Sequence, residues 1–440
     1  MTWRTLPLCL VILVLLMASF AWAKEAHKPA ASDDFPADVA SVWFDLLYGM
    51  VKTDQSSPPV AARIYGIAAV ALYEAIVPGS LEHRSLVGQI NKLSSMPQPE
   101  PHNEYDWPTV ANSALARVVR GLFPNASQES LDAINGLAQA FAAQFQSSVP
   151  PPVYDRSVER GQWVAKAVLA WASKDGFTTF NNCNYTPPVG PGLWVPTPPS
   201  FISKPLQPCW GRLRPFVLTS SEECAPPPPP KYSTDPASEF YALAWEVYQT
   251  NVNLTAEQKT IAQYWADGAG TGTPPGHWIA IMGQLARNDS LSLMAAAAGY
   301  VRVGLAVADA FIGCWRTKYL YNLLRPVTYI QDIIDPGWKP LLVTPPFPSY
   351  TSGHSTQSGA VATVLTDMSG AVAFTDTTHS DHHLMPPQTP RTFTSFDEAA
   401  EEAAISRLYA GIHYPFDNNS GLEQGRCIGR AILERIAFTR

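Results

Sequence analysis

The stretch Phe347-Pro348-Ser349-Tyr350-Thr351-Ser352-Gly353-His354 sets a hydroxyl, a glycine and an imidazole in consecutive positions, where a proline-rich loop should enter a helix. The first amides of a helix lack internal acceptors and sit at its positive end, so an anion is favoured there. Gly353 lets the backbone approach a ligand, Ser352 adds a donor, and His354 adds a group that moves a proton near neutral pH. Alone, the octet is equally an ordinary serine-capped helix. More chemistry lies on either side: Lys318 and Arg325 upstream, Arg407, His413 and Asp417 downstream. Lys318 and Arg325 are seven apart, which predicts one helix face. Arg407 and His413 are six apart and converge only if their helix breaks, as Gly411 and Pro415 allow. Three such cations without an anion repel, at roughly 3 kcal/mol per pair for ~6 Å and an effective dielectric of ~20. A multiply charged tetrahedral oxyanion reverses that sign, and arginine's forked donors suit its oxygens. The expectation is an oxyanion cage with His413 as apical nucleophile or ligand. Asp417 would fix its tautomer, and His354 would be the general acid or base.

The pieces read K-x6-R-P (Lys318 to Pro326), P-S-x-x-S-G-H (Pro348 to His354) and S-R-x5-H-x3-D (Ser406 to Asp417), in that order. This resembles the type 2 phosphatidic acid phosphatase and vanadium haloperoxidase superfamily. Trp315 and Phe347 match positions that line the halide pocket of vanadium haloperoxidases; algal bromoperoxidases have a histidine at the Phe347 position. Tyr264-Trp265-Ala266-Asp267-Gly268 and Thr273-Pro274-Pro275-Gly276-His277-Trp278 resemble the bacterial enzymes, the iodoperoxidase group in particular, with Asp267 as a partner for Arg407. The resemblance implies vanadate bound through His413, its oxygens held by Lys318, Arg325, Ser352, Gly353 and Arg407. It implies hydrogen peroxide polarised by Lys318 and a halide, iodide first and bromide second, oxidised to hypohalous acid. An organic halogen acceptor fits the same chemistry, and phosphate can occupy the same cage. Two alternatives stay open: a secreted acid phosphatase with His413 as nucleophile and His354 as general acid, and an oxyanion-binding protein without turnover.

These residues need a helical scaffold, and the apolar periodicity supplies one. Helices are expected at Phe35–Val51, Val60–Val77, Trp107–Phe123, Gln128–Ser147, Asp155–Lys174, Ala237–Thr250, Ala256–Trp265, Asn288–Trp315, Ser352–Met368, Ser395 to about Gly411, and Ser420–Phe438. Asn288 and Ser290 are candidate caps for the long one. Residues 181–234, rich in proline with a five-proline run, should be a stiff crossover packed on the body. Residues 370–394 read as irregular, with His379, Asp381, His382, His383 and nearby Asp376 as an exposed polar loop rather than a metal site. Strand signals are few. The expected architecture is all-α over residues 35–440, one domain made of two intimate helical bundles, which is also the haloperoxidase fold.

The first 23 residues read as a signal peptide: Arg4, an apolar run, then Ala21-Trp22-Ala23. Residues 24–34 read as a disordered tether. No later segment reads as long and apolar enough to cross a bilayer, so a secreted or periplasmic protein is expected. The formal net charge is −7, with no Lys/Arg stripe, which argues against nucleic acid. Once Cys9 leaves with the signal, Cys183, Cys209 and Cys224 are expected to supply one disulfide, with Cys314 and Cys427 as buried thiols.

Overall fold

The computed structural model describes residues 30–440; the signal-peptide reading and most of the tether fall outside the described residues. Ser32–Asp34, at the tether's end, is a 3-10 turn with Ser32 buried, so this part is ordered. In chain order the helices are α1 Asp38–Thr53, α2 Pro58–Ile76, α3 Trp107–Leu122, α4 Gln128–Gln146, α5 Pro151–Ala172, α6 Phe177–Phe180, α7 Glu239–Val252, α8 Ala256–Tyr264, α9 Thr273–Asn288 and α10 Leu293–Tyr321. Then come α11 Pro326–Ile333, α12 Gly353–Ser369, β1 Phe374–Asp376, α13 Thr378–Asp381, β2 Arg391–Phe393, α14 Phe396–Tyr409 and α15 Pro415–Arg435. The fold is all-α as expected; β1 and β2 form one short antiparallel ribbon, Asp376 paired with Arg391.

Helix α10 is the central strut, packed on α2, α9, α12 and α15. Small residues allow close packing: a Cβ on Gly66 of α2 would meet the Gly304 carbonyl of α10 at 3.0 Å, and between α15 and α12 one on Gly425 would meet the Thr356 carbonyl at 2.0 Å. Contrary to the sequence reading, two later segments, Pro58–Gly79 and Leu293–Tyr321, are long and apolar enough to cross a membrane. In the structure both are wrapped by protein as core helices. Residues 31–440 pack as one compact unit.

Three differences from the expected elements matter for the site. Helix α9 was not foreseen, and α10 starts five residues later than expected because Ser292, rather than Asn288 or Ser290, caps it. Helix α10 also stops at Tyr321, where Asn322 turns left-handed (φ 48°) and Arg325 becomes the cap residue of α11. Lys318 and Arg325 therefore do not share a helix face; a chain reversal brings them together. The third concerns residues 370–394: Asp381 and His383 are exposed as expected, but Asp376, Thr378 and His379 are buried, so the polar loop is exposed only in part.

The crossover packs on the body through Trp194, Trp210 and Phe216–Leu218. Asp309, in the middle of α10, accepts the backbone N–H groups of Phe216, Val217 and Leu218 at 2.6–2.9 Å. Two disulfides pin it, Cys183–Cys209 and Cys224–Cys427. Cys427 is thus no free thiol: α15 carries it to the crossover 203 residues earlier, a juxtaposition that spacing cannot reveal. Cys314 is the buried thiol expected.

Candidate active site

The proline-rich loop hands over to α12 at Ser352, whose Oγ accepts the Ser355 N–H at 3.4 Å. Gly353 and His354 thus occupy the first helical positions, where amides have no intrahelical acceptor. A Cβ on Gly353 would lie 3.4 Å from the Trp315 ring, so glycine keeps this end open beside α10. The Ser352 N–H donates to the Asp417 carbonyl at 3.0 Å, tying α12 to the start of α15.

His413 sits in the turn between α14 and α15, where Gly411 (φ 77°) ends one helix and Pro415 begins the next. Its Nδ1 lies 2.8 Å from Asp417 Oδ2 and its Nε2 3.1 Å from Arg325 Nη1. A guanidinium only donates, so Nε2 carries the lone pair and Nδ1 the proton. Burial and the charges of Arg325, Lys318 and Arg407 hold the His413 pKa well below the usual histidine value. Asp417 Oδ2 also accepts from Ser349 Oγ at 2.5 Å; burial raises the carboxyl pKa, and this hydrogen bond opposes the rise. The sequence assigns Ser349 no role; the signal that could have marked it is its place as the first serine of P-S-x-x-S-G-H.

The cations come from three directions. Lys318 Nζ meets the carbonyls of Pro348, Ser349 and Thr351 at 3.0, 2.8 and 2.5 Å. Burial pulls its pKa down, yet three acceptors around one nitrogen call for three N–H donors, which only the ammonium has. Arg325 donates Nε to the Phe347 carbonyl at 2.7 Å and Nη1 to the Ile412 carbonyl at 2.9 Å, while its buried Nη2 has no partner. Arg407 donates to the Ala262 carbonyl at 3.1 Å and to Ser406 Oγ at 3.0 Å. Burial lowers both arginines to about 10, so both stay charged at neutral pH. Asp267 acts on Arg407 only through its charge, because its oxygens are bonded to His277 Nδ1 at 2.9 and 3.0 Å. The expected Arg407–Asp267 pair is thus displaced by His277, a residue of the Thr273–Trp278 motif for which the sequence suggests no role.

His354 makes a hydrogen bond to the Trp265 carbonyl, and its buried Nε2 has no partner. Burial, then the charge of Arg407, holds it well below the usual histidine pKa, so it is a neutral base. Beside the cage, the Trp315 and Phe347 rings lie 5.1 Å apart. Phe347 is flanked by Lys318 Nζ at 5.1 Å and the Arg325 guanidinium at 4.7 Å.

Three buried cations, an unpartnered arginine nitrogen, open helix amides and a neutral histidine lone pair suit a compact oxyanion that takes one nitrogen ligand. Vanadate meets that description.

A family model described as the VCPO second helical-bundle domain matches residues 299–439. The chain is 23% identical to the vanadium chloroperoxidase of Curvularia inaequalis over 82% of its own length and 75% of that protein. Its fold is similar to that of a bacterial vanadium-dependent iodoperoxidase, with a TM-score of 0.85, 33% identity and coverage of 95% of this chain and 99% of that one. A bacterial vanadium-dependent chloroperoxidase shares the fold, with a TM-score of 0.64 and 16% identity over 86% of this chain and 92% of that one. The motifs, the helical architecture and the 33% identity over nearly the full length place this chain in the vanadium-dependent haloperoxidase family.

Proposed function

We propose that this enzyme uses hydrogen peroxide to oxidise iodide first and bromide second, with vanadate bound through His413 Nε2. The observation that carries the reading is the pairing of His413: a carboxylate on Nδ1, a lone pair on Nε2, and three buried cations acting on it. Lys318, Arg325 and Arg407 would hold the oxyanion's charge, with donors from Ser352 Oγ and Gly353 N–H. Bound vanadate supplies a Lewis acid that activates peroxide toward the halide while staying in the +5 state. The neutral His354 takes the peroxide proton on Nε2 and returns it as the product leaves, so that peroxide, halide and one proton give hypohalous acid and water. Asp417 holds the Nδ1 proton of His413 and keeps Nε2 available. Iodide is favoured by the apolar Trp315–Phe347 wall, since a large, weakly hydrated halide loses least on leaving water, and by the likeness to an iodoperoxidase. An organic halogen acceptor would then consume the product. The signal-peptide reading of the first 23 residues and the two disulfides support an exported location.

One paired assay tests this. After incubation with orthovanadate the protein should oxidise iodide with peroxide, and without vanadate it should hydrolyse p-nitrophenyl phosphate only weakly. Robust hydrolysis with no vanadate-dependent oxidation would replace the proposal with a phosphatase.

A further inference from the structure

His277 on α9 lies outside the cage but is tied to it. It is wholly buried, and both ring nitrogens face carboxylates: Nδ1 is 2.9 Å from Asp267 Oδ1, and Nε2 is 2.7 Å from Asp376 Oδ2 on β1. An ionised carboxylate only accepts, so this geometry calls for two N–H donors. Other bonds hold the acceptors in place: Asp376 also receives Tyr264 Oη at 2.8 Å and Thr378 Oγ1 at 2.6 Å, and His379 Nε2 lies 2.9 Å from the Tyr264 carbonyl. The Trp265 ring stacks on His277, centroids 4.5 Å apart.

The segment clamped in this way, Ala262 to Asp267, touches the cage twice. The Trp265 carbonyl accepts from His354, and the Ala262 carbonyl accepts from Arg407. Building on the haloperoxidase reading, we infer that His277 is a positioning residue: a doubly protonated imidazolium that staples Asp267 to Asp376 and so fixes the segment that sets the His354 tautomer and the Arg407 orientation. Against the burial that opposes it, Asp267 and Asp376 raise the His277 pKa to about 10. Against its own burial, Asp376 is held well below the usual carboxylate range by His277. Buried ion pairs are often structural without a bearing on chemistry. What sets this one apart is that two residues of the clamped segment, Ala262 and Trp265, each reach a cage side chain.

The test uses the vanadate-free protein with 15N-labelled histidine at pH 8.5, alongside kinetics of the loaded enzyme. In the native chain one histidine should remain protonated on both nitrogens, and His354 should give a single Nδ1–H tautomer. In His277→Gln the cationic signal should vanish and a second His354 tautomer should appear. Turnover should fall about tenfold or more and vanadate should bind more weakly, by less than turnover falls, while halide KM stays within about threefold; orienting groups behind a catalytic residue act on this scale. Should that variant fold poorly, Asp376→Asn removes one of the two carboxylates, and the imidazolium should then become neutral at pH 8.5. Native protein without a cationic histidine at pH 8.5 overturns the inference. So does a folded His277→Gln with an unchanged His354 signal and native turnover. Absence of halide oxidation in the native enzyme would sink the functional reading instead, and the spectra would still decide whether the bridge exists.

Discussion

His413 and His277 are both buried imidazoles with an aspartate at Nδ1, yet their environments drive them to opposite charge states. At His413 the second nitrogen faces Arg325 Nη1 at 3.1 Å; at His277 it faces Asp376 at 2.7 Å. A donor at Nε2 demands a lone pair there, and an acceptor demands a proton. The wider field agrees: three cations surround His413, while two carboxylates enclose His277. Desolvation alone would neutralise both. The partner of the second nitrogen therefore decides which histidine keeps a basic lone pair for a ligand and which becomes a fixed charge.

Removing the lone pair should have the largest effect. His413→Ala deletes the one proposed bond to vanadium and leaves only hydrogen bonds and charge from the cage. Vanadate titration should show binding weakened by more than the ~10–100-fold typical of an orienting group, and iodide oxidation should fall to background. His354→Ala leaves that bond in place and removes the proton acceptor, a change typically worth roughly 10²–10⁴-fold in rate. Its vanadate affinity should stay near native. Equal loss of vanadate in the two variants would mean that ligand and acid–base roles have been wrongly divided.

The contrast also marks what could be read in the sequence. His354, His413 and Asp417 were legible because each stands in a short local pattern. The 2.8 Å His413–Asp417 pair follows from a spacing of four at the start of a helix. Lys318 and Arg325 were placed correctly as types but wrongly in space, because a left-handed Asn322 is hard to foresee in an apolar helix. His277 and Asp376 are 99 residues apart and meet only when α9 packs beside the β1 ribbon. Periodicity carries no information about that meeting, nor about Cys427 reaching Cys224. The helical fold was legible because its apolar faces repeat locally, whereas the His277 bridge depends on long-range pairing.

Asp417→Asn probes the carboxylate shared by His413 and Ser349. The amide cannot hold the Nδ1 proton through charge, so vanadate should bind about 10–100-fold more weakly. The pH response sharpens the point. Burial raises the Asp417 carboxyl pKa, so the native carboxylate is present at higher pH and is lost as the pH falls into the mildly acidic range. Native affinity should therefore approach that of Asp417→Asn on acidification, the two being compared at each pH so that vanadate's own protonation cancels. A constant ratio between pH 5 and pH 8 would mean that Asp417 does not act through its charge.

The smallest effect is expected at Phe347, where a substitution would place a third imidazole near the same cations. The ring lies between Lys318 Nζ at 5.1 Å and the Arg325 guanidinium at 4.7 Å, and its carbonyl accepts from Arg325. Phe347→His keeps that backbone bond and should leave vanadate affinity within about threefold. Flanked by cations, the new histidine should be neutral, as His413 is, rather than cationic like His277. A neutral polar ring offers an N–H to the halide where the native wall offers only an apolar face. Small, strongly hydrated bromide gains more from such a donor than iodide does. The iodide-to-bromide ratio of kcat/KM should therefore fall by roughly fivefold, within the range a single pocket contact provides. Trp315→Ala opens the other side of the same wall and should reduce kcat/KM for both halides with a smaller change in their ratio. If Phe347→His leaves the ratio at the native value while the variant still binds vanadate, the Trp315–Phe347 pair packs the cage and does not select the halide.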